Sequence, residues 1–236
     1  MKILALDSSG LVASVAIVTE DSMLAEYTVN YKKTHSQTLL PMLNEIVKMV
    51  DINMDEIDAI AVAAGPGSFT GLRIGSATAK GLGLALNKPV VAVPTLDGLA
   101  YNLYGTQRLI CPLMDARRNQ VYTGIYEFND KQLQIVKEQA AIAIEELLAE
   151  INALGKEVIF LGDGTAVYRD IIEATTKVPY SYAPVHLSRQ RAGAIGALGI
   201  ELYKKEQYET AAKHEPVYLR VSQAEREREE KLQHQG

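Results

Sequence analysis

With 236 residues, 47% of them hydrophobic, the chain can bury a sizeable core, and two domains of roughly 100 residues each are expected rather than one large one. A net charge of −5 with 22% charged residues excludes an overall basic field for holding a phosphate backbone, so any nucleic-acid contact is expected through another subunit. Apolar runs end well before about 18 residues, and the N-terminus "MKILALDSSG" reaches an aspartate too early for a signal peptide, which points to a cytoplasmic protein.

In chain order, "KILALD" (2–7) reads as a short apolar strand ending in Asp7, followed by the turn "SSG", the β-rich run "VASVAIV" and then "LAEYTVNY". This predicts a three-strand meander. From Ser36, a plausible N-cap, to Val50 the period becomes helical, with Leu39, Leu40, Leu43, Ile46, Val47 and Val50 on one face. "IDAIAVAAGPG" predicts a buried strand running into a glycine-rich loop. "TGLRIGSATAKGLGLALN" predicts a helix ending at Asn87, "PVVAVPT" a strand, and "LDGLAYNL" the start of another helix.

A second pattern starts near Arg108. "LICPLMDARRNQVYTGIYEF" predicts two strands about a turn, "AIEELLAEINAL" a helix, "EVIFLGDG" a strand into a glycine turn, "AVYRDIIEAT" a helix, and residues 190–205 one more. The halves rhyme: "ALDSSGLVASVAIV" and "LMDARRNQVYTGIY" both run strand, aspartate, polar turn, strand. The expected architecture is α/β, with two related lobes, 1–105 and 106–221, each a mixed sheet flanked by helices, and a solvated charged tail at 222–236.

Few residues advertise chemistry. Asp7, at the carboxyl end of a strand, could hold a magnesium ion beside phosphate or simply accept backbone hydrogen bonds. The turn "DSSG" has no glycine directly after the aspartate to ease close approach. The four histidines are far apart, so spacing yields no metal site, and His35 could contact a ligand or pack at a helix start. The lone Cys111 precludes an internal disulfide and reads as a buried small hydrophobe. "GPGSFTG" has the wrong spacing for a nucleophile elbow, a Walker loop or a dinucleotide fingerprint.

The stretch "AGPGSFTGLRIG" (64–75) is the most conspicuous. Gly65, Pro66 and Gly67 form a rigid turn, and Ser68 and Thr70 can cap a helix whose first amides could receive an anion. Within that helix Gly71, Gly75, Ala79 and Gly83 recur every fourth residue. Glycine in a helix interior costs about 1 kcal/mol relative to alanine, so such a stripe needs the compensation of a closely packed neighbour. Spacing leaves open whether that neighbour is intramolecular or a partner.

"ILALDSS", "HSQTLLPML", "AGPGSFTGLRIG", "VPTLDGLA", "MDARRNQVY", "FLGDG" and "PVYLR", in this order along almost the whole chain, closely resemble the bacterial TsaB family, also called YeaZ. The resemblance implies the actin-like ATPase and sugar-kinase fold. It also implies a role in making N6-threonylcarbamoyladenosine in the tRNA anticodon loop, as a non-catalytic partner of the catalytic subunit TsaD and the ATPase TsaE, with homodimers when the partner is missing and tRNA reached only through the complex. On that reading the partner-binding residues are Leu39, Leu40 and Leu43 on one helix and Gly71, Gly75 and Ala79 on the other. Weak ATP or ADP binding would involve Asp7, Ser9, Gly162 and Gly164. Members of the TsaD branch follow the glycine-proline-glycine loop with a metal-binding H-x-E-x-H pattern; here Thr95 and Leu99 stand at the histidines and Asp97 at the glutamate, so no metal of its own is expected. The alternatives are a small-molecule kinase of the same fold using Asp7 and "GDG", and a metallopeptidase, which the absent histidines disfavour.

Overall fold

The computed structural model of the chain describes residues 1–31 and 35–220. The first sheet is built from β1 (Lys2–Asp7), β2 (Ala13–Thr19), β3 (Met23–Val29), β4 (Ala59–Gly65) and β5 (Val90–Pro94), in the order β3-β2-β1-β4-β5. β1, β2 and β3 form the expected antiparallel meander, while β4 and β5 join parallel to β1. β1 and β4 are covered on both faces, which is why both read as nearly unbroken apolar runs.

One face of this sheet, including Leu4, Leu6, Val15, Ile17, Ile60 and Val62, packs against α1 (His35–Met49) and α2 (Phe69–Leu86). α2 begins at the N-cap Ser68, whose side chain accepts from the Gly71 amide, and ends at Asn87 in the left-handed conformation (φ 52°), as the sequence predicts. α1 already starts at His35. Ser36 therefore lies inside the first turn and is not the cap.

The second sheet repeats the first. β6 (Leu109–Asp115), β7 (Gln120–Asn129), β8 (Gln132–Ala143), β9 (Val158–Leu161) and β10 (Tyr180–Tyr182) run in the order β8-β7-β6-β9-β10, with the same antiparallel meander and parallel additions. α4 (Ile144–Leu154) and α6 (Arg169–Thr175) cover one face, and α3 (Thr95–Tyr101), arriving from the first half, covers the other through Leu96, Leu99 and Ala100. β8 and β10 are additions to the sequence reading. The single helix expected over "AVYRDIIEAT" is broken into α5 (Gly164–Val167) and α6, because Tyr168 leaves helical geometry and turns its hydroxyl to Asp115 Oδ1 and the Gln120 carbonyl, both at 3.2 Å.

A division at 105/106 separates the sheets but not the packing units. α7 (Ala192–Lys204) returns from the second half to cover the free face of the first sheet, where Ile195, Leu198 and Ile200 meet Ile3, Ala5, Ala61 and Val93. The alanines of that face let the α7 backbone approach: a methyl group on Gly199 would lie 2.8 Å from Ala61 Cβ. The tail assigned to 222–236 lies outside the described residues.

Candidate functional site

A cleft of about 670 Å³ opens between the lobes, bordered by the turn after β1, His35, the 66–70 loop, the end of β6, Asp163 and residues 218–220. Its two sides begin alike. β1 ends in Asp7 and β6 in Asp115, and each carboxylate accepts the amide two residues on: Ser9 N to Asp7 Oδ1 at 2.9 Å, Arg117 N to Asp115 Oδ1 at 2.8 Å. The sequence rhyme is thus a repeated Asx turn.

The two aspartates nevertheless differ in access. Asp7 is 1% exposed, does not line the cleft, and accepts a second bond from Ser9 Oγ at 2.7 Å. Burial pushes its carboxyl up to about 6, against the opposing pull of the Ser9 hydrogen bonds and His35. Asp7 is therefore a buried turn-former, and its assignment as a nucleotide contact is not supported by its placement. Ser9 borders the cleft, but its hydroxyl is committed to Asp7 and its carbonyl accepts from the Ser68 amide at 2.6 Å.

Gly162 and Gly164 do not border the cleft. Both pack on the Leu113 backbone, with Gly162 at φ 100°, a conformation that suits glycine. Their effect is to present Asp163 between them, and Asp163 does border it. Burial raises its pKa against the opposing pull of backbone hydrogen bonds and the Arg189 charge, while its Oδ1 has no hydrogen-bond partner among the described residues. The carboxylates facing the cleft are Asp115 and Asp163, neither of which the sequence reading singles out. The repeated "LMDARRNQ" and "GDG" turns are the available signal.

His35 holds the turn opposite. Its Nε2 donates to the Gly10 carbonyl at 2.8 Å, leaving Nδ1 buried and without a partner among the described residues. His35 is the first residue of α1, so it does stand at a helix start, and it borders the cleft.

The glycine-rich loop is architecture. Side chains at Gly67 and Gly71 would collide with the Ser9 and Ser8 carbonyl oxygens, and one at Gly75 would stand 2.5 Å from Ser8 Oγ. Ser8 Oγ in turn donates to the Gly71 carbonyl at 2.8 Å. The close neighbour demanded by the small stripe is the 7–10 turn of the same chain. Ala79 is 0% exposed in the core beneath, and a methyl on Gly83 would lie 2.7 Å from Ala211 Cβ.

This corrects the partner assignment. Gly71, Gly75 and Ala79 face inward, as do Leu39 (1% exposed) and Leu43 (5%); of the six residues only Leu40, at 53%, is on the surface. The outward side of α2 instead carries Arg73, Ala77, Gly81, Leu84 and Ala85, and nothing lies within 4 Å of a Cβ placed on Gly81.

The positions compared with the metal-binding pattern have other employment. Thr95 Oγ1 accepts from the Gly65 amide at 3.1 Å, and Leu99 is core. Asp97 accepts the Tyr126 hydroxyl at 2.8 Å, and burial pushes its carboxyl up to about 6. Among the described residues no group of three or more histidine, cysteine, aspartate or glutamate side chains could hold a metal ion.

Residues 209–220 form a strap across α2. His214 Nε2 lies 2.6 Å from Ser76 Oγ and its Nδ1 2.8 Å from Glu209 Oε1, distances that suit a nucleophile, base and orienting acid. Ser76 is 6% exposed and His214 2%, so a substrate carbon has no approach and the row acts as a clasp. Farther along, Val217 N donates to the Ala64 carbonyl at 2.7 Å, and Tyr218 packs on Phe69 at 4.7 Å beside the Arg73 guanidinium, which lies 4.0 Å from the Phe69 centroid.

One edge of the cleft is strained. Arg117, Arg118 and Asn119, at the tip between β6 and β7, have φ of 61°, 57° and 56°. Left-handed backbone costs each of the two arginines roughly 1–2 kcal/mol, whereas asparagine tolerates it. The Asp115 turn and the paired Ala116 N to Gln120 O (3.0 Å) and Gln120 N to Arg117 O (3.2 Å) bonds hold them there.

Two five-stranded sheets of identical order, closing on an interlobe cleft, place the chain in the actin-like ATPase and sugar-kinase class. The family model described as TsaD, tRNA N6-adenosine threonylcarbamoyltransferase, matches residues 22–228. The tRNA threonylcarbamoyladenosine biosynthesis protein TsaB of Bacillus subtilis (strain 168) is 34% identical across 95% of this chain and 96% of its own, and that of Escherichia coli (strain K12) 31% identical across 72% and 75%. The structure of YeaZ from Pseudomonas aeruginosa superposes with a TM-score of 0.80 at 28% identity, covering 92% of this chain and 99% of that one. The chain belongs to the TsaB family of tRNA threonylcarbamoyladenosine biosynthesis proteins.

Proposed function

We infer that this chain is a non-catalytic scaffold in the modification of tRNA to N6-threonylcarbamoyladenosine, binding and stabilising a TsaD transferase subunit alongside the ATPase TsaE, and pairing with itself when that partner is missing. The observation that carries this is the outward side of α1 and α2. Leu40 and Leu84 stand 53% and 58% exposed there, and Ala77, Gly81 and Ala85, four residues apart, leave the α2 backbone open to close approach. A second copy or a subunit with the same pair of helices would complete a four-helix contact.

The placement of Asp7 speaks against the kinase alternative, which needs that carboxylate in the cleft. Nucleotide binding by the chain alone is weak on this reading and strengthens in the assembly; tRNA is reached through the complex, which acts in the cytoplasm. Co-expression with the transferase subunit and size-exclusion chromatography test it. A stable complex that forms threonylcarbamoyladenosine only when both chains are present is expected; two chains that elute separately overturn it.

A further inference from the structure

The cleft mouth brings together features that the scaffold role leaves unused. Arg117 and Arg118 are exposed on their left-handed tip and, among the described residues, form no ion pair, whereas Arg108, Arg169 and Arg191 each meet a glutamate. Strained backbone that points unpaired cations outward, in a chain of net charge −5, calls for an external anion. Across the mouth Tyr218, packed on a Phe69 ring that Arg73 already covers, is 38% exposed and offers an aromatic face. Arg220 ties this side to the tip by donating to the Ala116 carbonyl at 2.8 Å.

We propose that this mouth is an RNA contact: in the assembled complex Arg117 and Arg118 bind phosphates of the tRNA backbone, and the Tyr218 face receives an unstacked base. Guanidinium forks match phosphate oxygens, and aromatic faces accept any base of a single-stranded segment. An acidic peptide would use the cations but leave the ring platform idle. The assignment rests on the tRNA role inferred above, and it adds to that role a direct contact by this chain.

The test is titration of unmodified tRNA, by fluorescence anisotropy at several salt concentrations, into the complex with the transferase subunit and into this chain alone. The double variant Arg117→Ala/Arg118→Ala is compared with Arg117→Lys/Arg118→Lys, with melting temperatures confirming that both fold. The alanine pair is expected to weaken binding to the complex about tenfold and to flatten the logarithmic salt dependence by roughly two, one for each phosphate that is no longer neutralised. The lysine pair should keep the salt slope. Equal affinity and slope for wild type and the alanine pair overturn the proposal while leaving the scaffold role intact. So does loss of complex formation by the alanine pair with tRNA affinity unchanged, which would assign the arginines to a protein. If the wild-type chains do not associate, the scaffold reading fails instead, and the same comparison on the chain alone decides whether the arginines bind RNA.

Discussion

Ser8 lies directly beneath Gly71: its hydroxyl donates to the Gly71 carbonyl at 2.8 Å, and its own carbonyl oxygen occupies the space that a side chain on residue 71 would need. The turn after the first strand and the start of α2 are therefore one packed unit. Substitutions on the inward stripe should act on folding. Gly75→Leu would drive a branched side chain into Ser8 Oγ and Val62, and Ala79→Arg would bury a charge in the core. Losses of about 3 kcal/mol or more are expected, read as a large fall in melting temperature or as insoluble protein. Folded variants with unchanged melting temperatures would mean that this face is turned outward.

The opposite side of the same helix should behave in the reverse way. Ala77→Arg or Leu84→Glu changes groups that touch nothing essential to the fold, so stability should stay within about 0.5 kcal/mol. Association with a second copy or the transferase subunit should weaken roughly 5- to 150-fold, the equivalent of 1–3 kcal/mol. Size-exclusion and binding titrations on folded variants check this.

The clasp on the strap is expected to be structural. Ser76→Ala leaves the buried His214 Nε2 without its partner, which costs roughly 1–3 kcal/mol. His214→Ala should also loosen residues 209–220, increasing hydrogen exchange there before global unfolding. The related measurement is labelling by a serine-directed fluorophosphonate, which should not occur at Ser76 in the folded chain.

Asp7 should make stability depend on pH. Its folded-state pKa, about 6, lies above the ordinary value of 3.8, so the native chain keeps this proton through a window in which the unfolded chain has lost it. The contribution of Asp7 to stability falls as pH rises from about 4 to 6, then levels off. Asp7→Asn keeps an acceptor for the Ser9 bonds and removes the ionisation. The stability of the variant relative to wild type should therefore rise by on the order of 2–3 kcal/mol between pH 4 and 7, measured by urea denaturation at each pH.

Much of the framework is legible in the chain itself. Buried central strands must be continuously apolar, so β1, β4 and β6 announce themselves, and the repeated aspartate turn reveals the duplication. The stop of α2 at Asn87 follows from local chemistry too, since few residues other than glycine and asparagine tolerate the left-handed cap. β8 escapes a sequence reading because its burial is mostly partial and its identity depends on pairing with β7 rather than on its own pattern.

The working side of α2 is not legible, because the helix carries two small-residue rows of the same four-residue spacing: Gly71, Gly75, Ala79 and Gly83 on one side, Ala77, Gly81 and Ala85 on the other. Helical periodicity says which residues share a face. It does not say what lies against that face, and here the answer is Ser8, 63 positions earlier in the chain. The site divides in the same way: two strand-end aspartates make the same local turn, but the 66–71 segment packs on Ser8 and Ser9 of the first, where Asp7 is buried, while Asp115 borders the cleft. Local hydrogen bonding follows from neighbouring residues, whereas access to solvent is set by segments that only folding brings together.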